Sequence, residues 1–278
     1  MSRFLKYHGL GNDFVLLDRL EGGGPPSPQQ AIAVCERRRG VGADGVLTLL
    51  SSRVAAARMH VTNADGSVAE MCGNGLRCVA RHLAETRLPG ARELLVETDA
   101  GLKHCELHRR DGQVEEVTVE MGAPVLEPAR IPMSVDFERF VDAEIEAGGL
   151  RLRATAVSMG NPHLVLFGLE RRRAAELAPL LERHPLFPAR TNVEFAEVCG
   201  DGLDVMVWER GCGFTQACGT GACAAMVAAV LEGRLQAGEE RPVKLAGGLL
   251  HVKVAPGLGG VRMRGPAARV FEGVTGLL

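Results

Sequence analysis

Two short segments of this chain share a pattern that limits the folds it can adopt, a Cys followed directly by Gly-x-Gly. They are Cys72-Gly-Asn-Gly75 and Cys218-Gly-Thr-Gly221. Each precedes a segment typical of a helix. After Cys72, apolar residues recur at 76, 79, 80, 83 and 84, the spacing of one helix face. After Cys218, the segment up to Leu231 is apolar on nearly every side, which is typical of a buried helix. The thiols lie 146 positions apart (218 minus 72), about half of the 278 residues. This spacing indicates an internal duplication with one central helix in each half.

The position of the two thiols indicates chemistry. Each is expected at the N-terminus of its central helix, where unpaired backbone amides carry partial positive charge. Because such amides favour an anion, we expect them to lower the pKa of Cys72 and Cys218. The same amides can hold a carboxylate. Two thiols that act on opposite sides of one carbon would form a pair of acid/base groups.

The overall composition excludes several function classes. Hydrophobic residues make up 46% of the chain and charged residues 24%, the balance of a globular protein. The net charge of -2 favours neither a nucleic-acid nor a membrane partner. The segment Met1–His8 has no apolar signal core, and no apolar run reaches the roughly 20 residues of a membrane helix. The sequence therefore predicts a cytoplasmic protein.

Eight Cys without a signal peptide are expected to be reduced thiols rather than a disulfide scaffold. No Cys-x2-Cys pair is present, which disfavours structural zinc and thiol–disulfide redox chemistry. The turn Gly40–Gly45 lacks the spacing of a nucleotide-binding loop. Five of the Cys are expected to be small buried hydrophobes, namely Cys35, Cys78, Cys105, Cys199 and Cys223.

Hydrophobic periodicity and turn signals predict the remaining elements. The chain opens with two strands joined at Gly9–Asp13, and Ser27 caps a helix that starts at Pro28 and is closed by Arg37–Arg39. Residues 94–120 predict an antiparallel meander. His163 follows Asn161-Pro162 in a tight polar turn, where a structural role is favoured over proton transfer. In the second half we expect strands at 150–157, 203–208, 243–245, 249–254 and 260–263, and a helix at 174–183.

Several motifs, in order from end to end, resemble the signature of the diaminopimelate epimerase family. Any one of these glycine-rich segments is a weak signal, but the ordered set is highly specific. The matching segments are Tyr7–Phe14, Gly40–Gly45, Asn63–Ser67, Met71–Gly75, Gly160–His163, Asn192–Glu194, Trp208–Gly211 and Ala217–Ala222.

The resemblance implies an α+β fold of two pseudo-symmetric halves. Each half is expected to be a curved, mostly antiparallel β-sheet or barrel around a central helix. Residues 1–119 would form the half with Cys72 and residues 120–264 the half with Cys218, while residues 265–278 return to the first half. The implied activity interconverts LL- and meso-diaminopimelate, on the route to lysine and peptidoglycan, with neither pyridoxal phosphate nor metal as cofactor.

The resemblance also assigns roles to residues. Cys72 would donate and Cys218 accept a proton in one direction, with the roles exchanged in reverse. Backbone amides at the two helix N-termini would hold the reacting carboxylate, and Arg210 offers a planar fork for the distal one. The neutral and acidic substrate contacts would be Asn12, Asn63, Asn161, Asn192 and Glu209, and the amide-bearing residues would be Gly73, Asn74, Gly219 and Thr220. The chain departs from the pattern at Phe214, where Glu is common, at Cys212, where Ala is common, and at Gly45, where some members use Gln.

One alternative of the same fold stays open, a racemase that acts on another amino acid such as histidine. Proline and hydroxyproline racemases tend to carry His where this chain has Asn74. A binding module without activity should have lost one or both Cys. The expected partner is a small amino-acid substrate, with neither nucleic acid nor membrane, and a homodimer is one assembly that the chain could form.

Overall fold

The computed structural model describes the whole chain, Met1–Leu278. Its backbone contacts divide it into two compact units, which we call the N-unit (Met1–Glu120 with Arg264–Leu278) and the C-unit (Met121–Met263). Four α-helices accompany the strands, so the fold is α+β. The sheet is open rather than a closed barrel. None of the helices combines the length and apolar character needed to cross a membrane.

The secondary structure comprises the following elements. The helices are α1 (Pro28–Cys35), α2 (Gly73–Thr86), α3 (Arg171–Glu182) and α4 (Gly219–Leu231). The strands are β1 (Ser2–Gly9), β2 (Asn12–Asp18), β3 (Gly45–Leu50), β4 (Ala57–Asn63), β5 (Val68–Ala69), β6 (Glu93–Thr98), β7 (Gly101–Arg110), β8 (Gln113–Gly122), β9 (Ala143–Ala147), β10 (Leu150–Ser158), β11 (Pro162–Phe167), β12 (Asn192–Cys199), β13 (Gly202–Glu209), β14 (Gly213–Phe214), β15 (Glu240–Leu245), β16 (Gly248–Val254), β17 (Val261–Pro266) and β18 (Ala268–Thr275).

The N-unit is a mostly antiparallel sheet around α2. Strand β1 pairs antiparallel with β2 and with β18, and β2 runs parallel to β3. Strand β3 pairs antiparallel with β4, and β4 runs parallel to β6. The predicted meander is confirmed as β6, β7 and β8. Helix α2 packs against β1, β2, β3, β4, β6 and β7.

The C-unit repeats this topology strand for strand. Strand β10 pairs antiparallel with β11 and β9, β11 runs parallel to β12, β12 pairs antiparallel with β13, and β13 runs parallel to β15. Helix α4 packs against β10, β11, β12, β13, β15 and β16, the counterparts of the six strands around α2. The predicted pair of pseudo-symmetric halves is therefore confirmed at the level of topology within each unit.

The two central helices are buried in different ways. In α2 the five predicted apolar positions are buried, but Arg77 and His82 are buried as well. These polar side chains have partners, since Arg77 Nε donates to the carbonyl of Pro266 and His82 Nδ1 lies 3.3 Å from the hydroxyl of Tyr7. Helix α4 is small and apolar, and its residues from Ala222 to Ala229 are all buried, as its composition predicts.

Two local predictions need correction. Helix α1 ends at Cys35, before the arginine run, because the following chain turns back and the amides of Val41 and Gly42 donate to the carbonyl of Val34. Arg37 then binds the carboxylates of Asp13 and Asp44 instead of capping the helix. Strand β9, which pairs with β10, was not predicted although Ala143–Ala147 alternates apolar and charged residues, and β18, which pairs with β1, was not predicted either.

Candidate functional site

The first Cys loop begins α2. Cys72 is the N-cap residue, and the backbone amide of Gly75 donates to its Sγ at 3.4 Å. A Cβ added to Gly75 would lie 2.7 Å from Cδ2 of Leu47 on β3. A side chain at the second glycine of this loop would force Leu47 to move, so the close approach of β3 favours glycine at position 75.

The second Cys loop reproduces the first at the start of α4. Cys218 is the N-cap residue, and the amide of Gly221 donates to its Sγ at 3.4 Å. The hydroxyl of Thr220 also lies 3.4 Å from this sulfur. A Cβ on Gly221 would lie 2.6 Å from Oε1 of Glu194 on β12. Both thiols thus occupy the predicted helix N-terminal positions, each oriented by the amide three residues on.

The protonation of Cys218 differs from the expectation that its helix would lower the thiol pKa. Burial raises the pKa of Cys218 well above its ordinary value, and the carboxylates of Glu209 and Glu194 raise it further. Hydrogen bonds from Thr220 and Gly221 act in the opposite direction. The loss of solvation of a buried thiolate outweighs the stabilisation from these two hydrogen bonds. The prediction that the helix N-terminus lowers the pKa of Cys218 is therefore wrong.

Asn12 and Asn74 are linked in the N-unit. Nδ2 of Asn74 donates to Oδ1 of Asn12 at 3.0 Å, and Nδ2 of Asn12 donates to Oδ2 of Asp44 at 2.8 Å. Asn63 ends β4 and donates from Nδ2 to the hydroxyl of Ser67 at 2.9 Å. The neutral side chains proposed as substrate contacts are therefore held in defined orientations by their neighbours.

A buried polar group in the C-unit joins Asn161, His163 and Glu194. His163 lies in β11 and not in a turn, and it is fully buried. Its Nδ1 lies 2.7 Å from Oε1 of Glu194, and its Nε2 lies 3.0 Å from Oδ1 of Asn161. The sequence interpretation missed Glu194 as a functional candidate. Its signal was a single carboxylate between the apolar residues Val193 and Phe195, in a strand where such a charge needs a partner.

Asn192 and Arg210 are joined through backbone groups. The backbone amide of Arg210 donates to Oδ1 of Asn192 at 2.9 Å, and Nδ2 of Asn192 donates to the carbonyl of Pro162 at 2.8 Å. The guanidinium of Arg210 is exposed and donates to the carbonyl of Ala189 at 3.0 Å. Glu209 accepts from the hydroxyl of Thr215 at 2.6 Å. Asn192, Glu209 and Arg210 are thus brought together at the adjoining ends of β12 and β13.

Two of the three residues that depart from the family pattern, Phe214 and Cys212, lie at the surface of the C-unit, whereas Gly45 is buried in β3 of the N-unit. Phe214 is 42% exposed and packs edge-on against Trp208, with ring centroids 5.0 Å apart. Cys212 is exposed. Four of the five Cys predicted to be buried are buried, whereas Cys199 is exposed because it lies at the end of β12, beyond the core.

These features define a class of protein, a two-unit fold with a Cys-capped helix at the centre of each unit. Solved structures share the fold. A probable proline racemase from Agrobacterium radiobacter matches with a TM-score of 0.74 and 19% identity, covering 100% of this chain and 94% of that one. A hydroxyproline epimerase from Agrobacterium vitis matches with a TM-score of 0.70 and 21% identity, covering 98% and 90%. At these identities the likeness concerns the fold.

Sequence comparison identifies the family within this class. A family profile described as diaminopimelate epimerase matches residues 4–127 and 155–270. The diaminopimelate epimerase of Moorella thermoacetica is 48% identical over 274 residues, covering 97% of this chain and 98% of that protein. That of Desulforudis audaxviator is 50% identical with the same coverage. The chain belongs to the diaminopimelate epimerase family.

Proposed function

We propose that this protein is a diaminopimelate epimerase, an isomerase that interconverts LL- and meso-diaminopimelate without pyridoxal phosphate. The observation that carries the proposal is the pair of Cys-capped helices, within a chain that matches curated epimerases over 97% of its length. The activity supplies precursors for lysine and peptidoglycan, and we accordingly propose that the protein works in the cytoplasm.

The reaction inverts one carbon, so it requires a base on one side of that carbon and an acid on the other. We assign these roles to Cys72 and Cys218. The thiolate removes the α-proton, the second thiol delivers a proton from the opposite side, and the roles exchange in the reverse direction. Because the α-proton of an amino acid is weakly acidic, the developing carbanion needs preorganised electrostatic stabilisation.

Backbone amides in the first turns of α2 and α4 supply that stabilisation in this proposal. They belong to the residues after each thiol, Gly73 and Asn74 in one unit and Gly219 and Thr220 in the other. Helix N-terminal amides bind carboxylates well because they carry uncompensated positive charge. Holding the reacting carboxylate there would spread the negative charge that develops when the proton leaves.

The distal end of the substrate requires further contacts. We propose that Arg210 binds the distal carboxylate and that Glu209 binds an ammonium group. The side chains of Asn12, Asn63, Asn161 and Asn192 complete the set as neutral donors and acceptors. A substrate with a second charged amino-acid end uses all of these groups, which favours diaminopimelate over a substrate with one such end.

The test is deuterium incorporation from deuterated water into LL-diaminopimelate, measured with Cys72→Ala and Cys218→Ala. Each change should lower epimerisation by at least ~10²-fold, the usual scale for a lost acid or base group. Cys199→Ala is the matched control, because this exposed Cys has no role in the proposal and should leave turnover unchanged. Near-wild-type epimerisation by either active-thiol variant would refute the assignment, and preference for histidine would favour the alternative racemase.

We also propose that the protein forms a homodimer through β18. Val270, Phe271 and Val274 on this strand are all more than 45% exposed, so the strand leaves apolar side chains uncovered. Exposed apolar groups of this kind commonly mark interaction surfaces. Sedimentation equilibrium tests the idea, since Phe271→Lys should shift a dimer to monomer, and a monomeric wild-type protein would exclude it.

A further inference from the structure

The strands beneath the two Cys loops place chemically different side chains at the same site. In the N-unit, Leu47 of β3 lies against Gly75, and a Cβ there would meet its Cδ2 at 2.7 Å. In the C-unit, Glu194 of β12 lies against Gly221, and a Cβ there would meet its Oε1 at 2.6 Å. An aliphatic group thus supports one thiol loop and a carboxylate supports the other.

The strand register shows that these positions correspond. In the N-unit, Phe14 of β2 pairs with Gly45 of β3, two residues before Leu47. In the C-unit, His163 of β11 pairs with Asn192 of β12, two residues before Glu194. The apolar pair Phe14 and Leu47 is therefore replaced in the C-unit by the polar pair His163 and Glu194.

Packing alone does not account for Glu194. The residue is fully buried, its Oε1 lies 2.7 Å from Nδ1 of His163, and its Oε2 has no hydrogen-bond partner. Burying a carboxylate with one oxygen unpaired is costly. Since Leu47 fills the equivalent space at no such cost, the carboxylate at position 194 requires another explanation.

We propose that Glu194 is a positioning residue for the second thiol, whose buried carboxylate lies against the first turn of α4 and keeps Cys218 in the proton-bearing form in the resting enzyme. Cys72 has no carboxylate at the equivalent position, because Leu47 lies against Gly75 where Glu194 lies against Gly221. The inference rests on the proposed function, in which one thiol must hold a proton while the other is a thiolate. It makes the two thiols inequivalent before substrate binds.

The electrostatics of the C-unit act in the same direction. The charged groups that face Cys218 are Glu209 from β13 and Glu194 from β12, and His163 from β11 is bonded to Glu194. Burial is the largest cause that raises the pKa of Cys218, and the two carboxylates add to it. A neighbouring negative charge disfavours a second one, so removing either carboxylate should ease thiolate formation.

The experiment measures the pH dependence of iodoacetamide alkylation at each Cys by peptide mass spectrometry. Glu194→Gln removes the charge while keeping the side-chain size and an oxygen that can accept from His163. We expect the midpoint for Cys218 to fall by about one pH unit, the scale for one close like charge. The midpoint for Cys72 should not move. The midpoint reports proton affinity, whereas limited access to a buried thiol changes only the plateau rate.

Glu232→Gln is the matched control. This carboxylate lies just beyond the opposite end of α4 and accepts from the hydroxyl of Thr155 at 2.7 Å, so its removal should leave both midpoints unchanged. An unchanged Cys218 midpoint in Glu194→Gln would overturn the proposal, as would an equal shift in the control.

Two further measurements cover a variant that does not fold and a failure of the proposed function. If Glu194→Gln does not fold by circular dichroism, the wild-type protein carries the test, because Cys218 must then titrate at higher pH than Cys72 and the reverse order overturns the proposal. Alkylation needs no turnover, so its result does not depend on the epimerase activity. A failure of the proposed function would instead appear as no deuterium incorporation by the wild-type protein.

Discussion

The indole Nε1 of Trp208 donates to Oε2 of Glu182 at 2.8 Å, across the junction between β13 and α3. The other oxygen of the same carboxylate accepts from the backbone amide of Gly211 at 3.0 Å. Glu182 is buried, so this single carboxylate fixes both ends of the segment that carries Glu209 and Arg210. A helix outside the catalytic set thereby controls the position of two proposed substrate contacts.

We expect Glu182→Gln to weaken this support. The amide can accept only one of the two hydrogen bonds, so one buried donor loses its partner at a cost of about 1–3 kcal/mol. The measurement is urea unfolding together with the KM for LL-diaminopimelate, which should rise because Arg210 is less well placed. Glu176→Gln on the outer face of the same helix is the control and should change neither value. An unaltered unfolding free energy in Glu182→Gln would contradict the assigned role.

The same variant has a pH signature. Burial raises the pKa of Glu182, but hydrogen bonds from Trp208 and Gly211 outweigh it, so the pKa lies below the ordinary 4.5. A depressed folded-state pKa stabilises the protein above the unfolded value and loses that contribution as pH falls through the folded one. Wild-type protein should thus lose more stability than Glu182→Gln on acidification below 4.5.

Arg210→Lys tests the proposed distal carboxylate contact. The change keeps the positive charge but removes the planar fork that binds a carboxylate through two parallel hydrogen bonds. We expect KM for LL-diaminopimelate to rise by several-fold or more, on the order of 1–2 kcal/mol for the lost charge-assisted bond. Steady-state kinetics measures this directly. Unchanged KM and kcat would place the distal carboxylate elsewhere.

Replacing the second glycine of each Cys loop, Gly75 or Gly221, with alanine should destabilise the protein to different extents. Alanine normally favours a helix over glycine by roughly 0.5–1 kcal/mol, but a Cβ at Gly75 or Gly221 would collide with a side chain. Leu47 can rotate away from Gly75, whereas Glu194 is tied to His163. Both Gly→Ala changes should destabilise by about 1–3 kcal/mol, with Gly221→Ala the larger loss in thermal unfolding.

Gly260→Ala provides the control for that pair, because nothing lies within 4 Å of its added Cβ. It should remain within about 0.5 kcal/mol of wild type, as surface substitutions usually do. If Gly75→Ala proves costlier than Gly221→Ala, then Glu194 is less firmly held than its contacts indicate.

The helix positions around the two thiols could be predicted because the information is local. A Cys before Gly-x-Gly, followed by 3.6-residue periodicity after Cys72 and a small apolar run after Cys218, specifies both helix starts without knowledge of the rest of the chain. The confirmed meander at 94–120 has the same origin, in alternation and in turns containing glycine. The resemblance to a family came from the order of such local motifs.

The missed features depend on distant parts of the chain. Asn161-Pro162 is a strong turn signal, but the strand starts at Pro162 because β11 pairs with β12 beyond the intervening helix. Nothing local reveals that this pairing places His163 against Glu194. The raised pKa of Cys218 also follows from burial by surrounding strands, which a helix N-terminal pattern does not contain.

His82 is a buried histidine of α2 whose two ring nitrogens face different partners. Nδ1 lies 3.3 Å from the hydroxyl of Tyr7, and Nε2 lies 3.4 Å from Oδ2 of Asp18. Burial lowers the pKa of His82 below its ordinary 6.5, and Asp18 opposes this shift without reversing it. The folded protein therefore favours the neutral ring, while the unfolded chain binds a proton more readily.

Because the folded-state pKa is depressed, the contribution of His82 to stability is present above pH 6.5 and is lost as pH falls through the folded value. We expect the unfolding free energy of the wild type to decrease over that window, and His82→Gln to show a flatter pH dependence. Asp18→Asn should change this pH dependence in the opposite direction, because the Asp18 carboxylate favours protonation of His82 in the folded state. Without it, the unfolding free energy should fall more steeply as the pH decreases. Urea titrations at a series of pH values measure all three proteins, and an equal slope in wild type and His82→Gln would show that the ring does not titrate on unfolding.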